Sequence, residues 1–369
     1  MRRFLVTGGA GFIGSHITES LLKKGHYVRV LDDFSTGKKE NLSFLRQYSK
    51  TRYEIVRGDI RSLNICLKSC RGVDIVLHQA ARKTVPKSIK NPRVFNDVSI
   101  NGTVNLLQAS VEHKVRRFVF ASSSSVYGNS VSFPQRETHL PGPISPYGVT
   151  KLAGERYCAV FSHLYGLETV CLRYFNVFGP RQAFDDVYSA VIVKFIHFFL
   201  NKRSPPVFGT GRQSRDFTYI DNVVSANYRA ALAPGLKHEI FNVAMGHGRS
   251  ILDLIGCLNK LTRQNIKPRF LPLRAGDIYK SLSDISKFRK MTGFSPSVPC
   301  WTFPSLSCCW IPCSGRRKCI RVRRFGFLLH SDGYPALNCS TRTPPCDISK
   351  RVIGIKKDKT DGLKARRSI

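Results

Sequence analysis

The chain has 369 residues with 42% hydrophobic content, enough to bury a full core as one large domain or two unequal ones. Its formal charge of +35 raises a nucleic-acid role, but the basic residues are scattered and no nucleic-acid motif interrupts the pattern below, so no specific nucleic-acid partner is expected. The longest apolar stretch, 187–200, is broken by Lys194 and His197 and is too short to span a bilayer, so a cytoplasmic protein with no membrane role is expected.

An apolar strand, Phe4-Leu5-Val6, opens the chain and runs through Thr7 into Gly8-Gly9-Ala10-Gly11-Phe12-Ile13-Gly14, then into a helix over 12–24 that Gly25 ends. Glycines there allow a sharp turn, a close backbone approach to a pyrophosphate and tight helix–strand packing, while the helix N-terminus offers unpaired N–H groups to the phosphates. A second apolar run, 27–31, ends in Asp32-Asp33. A carboxylate at that strand end accepts both ribose hydroxyls and repels a 2′-phosphate, which favours NAD over NADP. Two carboxylates capping an ordinary loop are the plain alternative, and the strand–loop–helix–strand context weighs against it.

Further apolar runs at 53–56, 75–78, 118–121 and 169–174 recur at the interval of alternating strands and helices. The spacing predicts an α/β fold, a Rossmann-like doubly wound parallel sheet. A helix is expected over 95–113 with Val98, Val104, Leu107 and Val111 on one face, and another over 145–164 entered through Pro146. After Asn176 the pattern loosens into short elements rich in glycine and proline, so 1–176 reads as the dinucleotide domain and 177–298 as a smaller C-terminal substrate lobe closing over it. From 299 to 369 the character changes to Cys, Pro, Ser and Arg without periodicity, as in a disordered tail or one translated in a shifted reading frame. Seven of the twelve cysteines lie there, and Cys300, Cys308, Cys309, Cys313 and Cys319 lack the paired spacing of a zinc module; no metal is expected.

Tyr147 and Lys151 are four apart on a predicted helix and share one face. A neighbouring ammonium stabilises the phenolate and brings the phenol down from about 10 toward a usable general base. The strand over 117–121 ends in Ser122-Ser123-Ser124-Ser125, which sets hydroxyls at the carboxyl edge of the sheet.

The glycine loop, Asp32, Asp59, the run His78-Gln79-Ala80-Ala81, the serine run, Tyr147 with Lys151, and Arg173-Tyr174-Phe175-Asn176 together resemble an extended short-chain dehydrogenase/reductase, most closely the UDP-hexose 4-epimerases. The resemblance covers residues 1 to about 298. It implies that Gly8, Gly11, Phe12, Ile13, Gly14, Asp32, Asp59, Ile60, Ala80, Ala81 and Lys151 hold NAD. It makes Tyr147 the base and Ser123 its hydroxyl partner, and places Lys83, Asn176, Arg215, Arg274, Asp277 and Ser281 on the UDP-sugar. The 4,6-dehydratases of this family carry an Asp-Glu pair where Ser124-Ser125 stand, so the resemblance implies epimerisation, with other nucleotide-sugar chemistry (dehydratase or uronate epimerase) or a non-catalytic NAD-binding protein as alternatives. A small residue at Ser281 leaves room for an N-acetyl group, which favours UDP-N-acetylglucosamine or dual specificity. A homodimer is also implied. Ser99 and Val193 depart from the family, which usually has Asn and often Pro there.

Overall fold

The computed structural model describes residues 1–183, 191–273 and 280–298. In chain order the first six strands are β1 (Arg3–Thr7), β2 (Tyr27–Asp32), β3 (Tyr53–Arg57), β4 (Ile75–His78), β5 (Arg117–Ser123) and β6 (Glu168–Tyr174). Among them lie helices α1 (Phe12–Lys23), α2 (Leu63–Cys70), α3 (Val85–Lys90), α4 (Pro92–Asn96), α5 (Gly102–Glu112) and α6 (Pro146–Tyr165). Then come β7 (Val177–Phe178), α7 (Val191–Leu200), β8 (Pro206–Phe208), β9 (Ser214–Asp216), β10 (Thr218–Tyr219) and α8 (Ile220–Leu232). The last described elements are β11 (His238–Val243), β12 (Gly248–Ser250), α9 (Ile251–Thr262), β13 (Arg269–Leu271) and α10 (Ser286–Thr292).

Seven strands form one parallel sheet in the order β11-β6-β5-β4-β1-β2-β3. Strands buried on both faces carry continuous apolar runs, and successive residues point to opposite sides. Val6, Val30, Leu77, Val119 and Val170 pack with Ile17 and Leu21 of α1 and Val223 and Ala226 of α8. Their neighbours Leu5, Leu31, Val76, Phe118 and Cys171 pack with Cys66 and Cys70 of α2, Leu106 and Leu107 of α5 and Cys158 of α6. Each large aliphatic side chain sealed this way stabilises the fold by about 1.5–3 kcal/mol.

Two sequence expectations are corrected. The sheet does not end at residue 176: β11 pairs with β6 in parallel, from His238↔Thr169 to Val243↔Tyr174, so the region expected to form only the lobe returns a strand to the edge of the sheet. Only Phe241, Asn242 and Val243 are buried within β11, so its apolar run is too short to stand out in the sequence. The chain reaches that edge through α8, whose C-terminal carbonyls are tied under the sheet by buried Arg117. Its Nη1 donates to Ala230, Ala231 and Ala233 at 3.1, 3.2 and 2.6 Å, and its Nη2 pairs with Glu168 at 2.8 Å.

The expected helix over 95–113 starts earlier, at Pro92, and contains a π-turn over Asp97–Asn101. The wider turn rotates the helix after it. Thr103, Leu106, Leu107 and Ser110 become the buried face of α5, and Val104 and Val111 are only half-buried.

The remaining short strands pair two by two, β7 with β10, β8 with β13 and β9 with β12, beyond the carboxyl ends of β5 and β6. Buried Asp216 ties them together, accepting backbone N–H bonds from Met245 (2.8 Å), Gly246 (3.0 Å) and Ser283 (3.4 Å). No helix among the described residues is long and apolar enough to cross a membrane. The segment 299–369 lies outside the described residues.

Candidate functional site

Strand order reverses between β1 and β4, and at such a switch point the loops leave in opposite directions and open a crevice at the carboxyl ends of the strands. A cavity fills that crevice and is lined by Gly8, Gly11, Phe12, Ile13, Gly14, Asp32, Asp59, Ile60, Ala80, Ala81 and Lys151, all eleven of the residues expected around a dinucleotide. Lys83, expected on the sugar, lines the same cavity.

The glycine loop is shaped by close contact. Gly8 has φ +65°, and a Cβ there would lie 2.8 Å from the Ala80 nitrogen. A Cβ on Gly14 would collide with the Gly8 carbonyl. Helix α1 starts at Gly11 with no side-chain cap and no acidic residue in its first turn, so its leading N–H groups face the cavity unshielded.

Asp32 is buried at the end of β2, and its carboxylate is aimed by N–H donors from Ala10 (2.9 Å) and Phe34 (2.8 Å); burial raises its pKa above the ordinary carboxylate value. Asp59, across the cavity, is held below that value by hydrogen bonds from Arg61, whose Nη2 lies 2.6 Å away.

Tyr147 and Lys151 lie at the other end of the cavity, on the first two turns of α6, with Ala121 and Ser122 of β5 beside them. Ser145 caps this helix by accepting from the Gly148 N–H at 3.1 Å. Phe95 meets the Tyr147 ring edge-on at 6.5 Å between centroids. The Ser123 hydroxyl donates to Ser125 Oγ at 3.2 Å and accepts from the Ser125 N–H at 3.1 Å, at the end of β5 beside the half-buried Tyr147.

The expected lowering of the phenol by its lysine neighbour is not what this arrangement produces. Burial raises the Tyr147 pKa and the nearby Ser123 hydroxyl opposes this, while Lys151 Nζ lies 5.9 Å from the ring centroid and donates to the Ala121 carbonyl at 2.7 Å. The lysine is the group moved toward neutrality: burial pushes it down to about 8.

Asn176 and Arg215 line a second cavity, together with Phe178, Lys194, Phe195 and Phe208. The end of β6 separates the two cavities, with Tyr174 lining the first and Asn176 the second. Asn176 has φ +35°, and its amide donates to the Asp216 carbonyl at 3.0 Å and to Ser281 Oγ at 3.4 Å. Buried Ser281 is joined to the lobe by its N–H on the Ser214 carbonyl at 3.1 Å. Arg274 and Asp277 lie outside the described residues.

Several cavity residues carried no sequence assignment. Arg82 pairs with Asp33 and donates to Ser35 Oγ at 2.5 Å, Asn41 donates to the Ala10 carbonyl at 2.9 Å, and Arg181 is ion-paired with Glu19 of α1. Tyr174 donates to Gln79 at 3.1 Å and is bonded to Asn227 of α8. Arg82 adjoins Ala80-Ala81 and Tyr174 stands beside Asn176, so their motifs were visible; what hid them was the long-range pairing that aims each side chain. Ser99 sits in the π-turn with its Oγ buried and unpartnered.

The model of the NAD dependent epimerase/dehydratase family matches residues 4–244. The chain belongs to this family. It is 35% identical over 300 residues to a UDP-glucose 4-epimerase of Mycolicibacterium smegmatis, covering 80% of this chain and 94% of the relative. Among solved structures it resembles a UDP-N-acetylglucosamine 4-epimerase from Methanobrevibacter ruminantium in complex with UDP-N-acetylmuramic acid, with TM-score 0.76, 37% identity, and coverage of 80% and 93%. It is also similar to a UDP-glucuronic acid 4-epimerase from Bacillus cereus in complex with UDP-glucuronic acid and NAD, with TM-score 0.74, 36% identity, and coverage of 81% and 95%. The family is NAD-dependent, and these neighbours share its Rossmann-like sheet and are nucleotide-sugar 4-epimerases.

Proposed function

We propose that the chain epimerises a UDP-hexose at C4 through a 4-keto intermediate, acting on UDP-N-acetylglucosamine, UDP-glucose or both. The observation that carries the reading is that Tyr147 and Lys151, with Ala121 and Ser122 beside them, line the same cavity as the features of a dinucleotide cradle, while Ser123 follows Ser122 at the end of β5. That end fits NAD in three respects: the Gly8–Ala80 approach leaves no room for a side chain, the start of α1 is uncapped, and Asp32 is aimed by two backbone donors.

In this reading Gly8, Gly11 and Gly14 admit the pyrophosphate, Asp32 takes the ribose hydroxyls, and Asp59 and Ile60 bound the base. Bound NAD supplies a reversible hydride acceptor. Tyr147 receives the proton of the sugar 4-hydroxyl and later returns one, Ser123 orients that exchange, and Lys151 supplies positive charge beside the phenol. Asn176 and Arg215 hold the UDP moiety, Arg suiting a diphosphate because its fork matches two oxygens. A sugar tethered by its diphosphate turns over and is reduced on the opposite face. Ser124 and Ser125 follow β5 where elimination in the sister dehydratases uses carboxylates, which favours epimerisation over dehydration.

The test is to incubate purified protein with UDP-N-acetylglucosamine and with UDP-glucose, separately and without added cofactor, and to resolve the 4-epimers chromatographically. Interconversion supports the reading. Retained NAD with no interconversion of either sugar would favour a binding protein instead.

A further inference from the structure

Tyr147, Lys151 and Glu155 recur every four residues on the sheet-facing side of α6, so each stands one turn from the next. Consecutive residues of β5 receive the last two. The Ala121 carbonyl accepts from Lys151 Nζ at 2.7 Å, and Ser122 Oγ donates to Glu155 Oε1 at 2.6 Å. Arg173, paired with Ser122 in the β5–β6 register, donates Nε to Oε1 and Nη2 to Oε2, each at 2.8 Å. Its guanidinium is fixed from the other side by the Tyr127 ring, 4.7 Å below it, and Tyr127 is itself held by Asn242 at 2.7 Å. Glu155 and Arg173 are each 1% exposed.

A buried ion pair adds little net stability, since desolvating two charges cancels most of their attraction and an apolar pair of similar volume is often as good. A purely structural account of Glu155 and Arg173 therefore explains poorly why an oriented charge pair stands here, directly behind the cavity wall formed by Ser122 and Lys151.

We propose that Glu155 is a positioning residue for the Tyr147–Lys151 pair: its carboxylate, aimed by Ser122 and Arg173 one helical turn beyond Lys151, places a fixed negative charge behind the lysine that the Ala121 carbonyl anchors at the end of β5. The proposal rests on the acid–base reading of Tyr147 and Lys151 but is tested without turnover.

The groups facing Lys151 are few. From α6 come Tyr147 and Glu155, and from β6 Arg173, whose charge is taken up by Glu155. From β4 comes His78, kept neutral at about 3 by burial and by Lys151, its two nitrogens bonded to Thr7 at 2.7 Å and Thr103 at 3.0 Å. Asp32 and Asp59 line the same cavity. Burial is the largest influence on Lys151 and lowers it; Glu155 opposes that and raises it.

The experiment is a pH titration of 13C-labelled lysine side chains by NMR, with Lys151→Arg assigning the signal. In the wild type the Lys151 signal is expected to titrate near 8. Glu155→Gln should move it down by at least about one pH unit. The double variant Glu155→Leu/Arg173→Met, which strands no charge, should show a fall in the same direction but smaller, because the Arg173 cation leaves with the carboxylate, with the alkaline limb of kcat moving down in parallel. An unchanged Lys151 titration in the folded double variant overturns the proposal, as does a wild-type Lys151 already neutral at pH 7, a result that needs no variant to fold. A shifted lysine in a protein that converts no UDP-sugar would retire the epimerase reading and leave this one standing.

Discussion

Lys151 Nζ and the Ala121 carbonyl, 2.7 Å apart, join the second turn of α6 to the strand that ends in the serine run. This one bond decides where the lysine points: along the end of β5, between Phe120, 5.1 Å from Nζ, and Tyr147. Because the ammonium is committed to a carbonyl, it does not bond the Tyr147 hydroxyl, and in the proposed reading the phenol is the group that meets substrate. Tyr147→Phe is expected to lower kcat by about 10²–10⁴-fold with NAD still bound. The check is chromatography of the sugar products beside cofactor released from denatured protein, and near-normal turnover would remove Tyr147 as the base.

Turnover should depend on pH through Lys151. Burial lowers this lysine to about 8, so its charge is present below that pH and disappears as pH rises through it. kcat is expected to hold below about pH 8 and to decline above it. A profile that stays level two units higher contradicts the assignment.

His78 gives the fold an acid-sensitive point. Its folded value of about 3 lies below the ordinary 6.5, because the ring is sealed between Thr7 and Thr103 and burial opposes its charge. The unfolded chain therefore binds the proton more readily. The stability His78 contributes is complete above about pH 6.5 and is lost as pH falls toward 3, by a few kcal/mol at about 1.4 kcal/mol per unit. Denaturant melts of wild type and His78→Gln between pH 7 and 4 check this: the variant is expected to be weaker at pH 7 and flatter with pH.

Gly8→Ala should damage the cradle without touching the acid–base end. The added methyl is 2.8 Å from the Ala80 nitrogen at φ +65°, where an L-residue is strained by about 1–2 kcal/mol before the contact is counted. Loss of at least about tenfold in NAD affinity is expected. Calorimetric titration with NAD measures it, and unaltered binding would show that the cradle yields.

Ser281→Tyr is expected to separate the two sugars. Ser281 is buried beside Asn176 in the lobe, and in the proposed reading its small side chain leaves the room that an N-acetyl group takes. kcat/KM for UDP-N-acetylglucosamine should fall by about 10²-fold and that for UDP-glucose by less than about tenfold, measured below the melting temperature that the larger buried side chain lowers. Equal losses for both sugars would place the acetyl group elsewhere.

Sequence alone determined the local pieces of this protein. Apolar runs such as Ile75–His78, recurring at regular intervals, read as strands buried on both faces, Gly8 to Gly14 between a strand and a helix reads as a tight turn, and Ser145-Pro146 starts a helix that carries Tyr147 and Lys151 on one face. These features rest on periodicity and backbone sterics, which act over a few residues. Tertiary structure decided what depends on long-range contact. It returned β11 to the sheet from beyond residue 176 and inserted the π-turn that rotates α5. It also reversed the direction expected for Tyr147, since a phenol titrates by its burial and its nearest partners, and Lys151 had found the Ala121 carbonyl. Glu155 has no meaning four residues past Lys151 until Ser122 and Arg173, 33 and 18 residues away in the chain, close around its carboxylate.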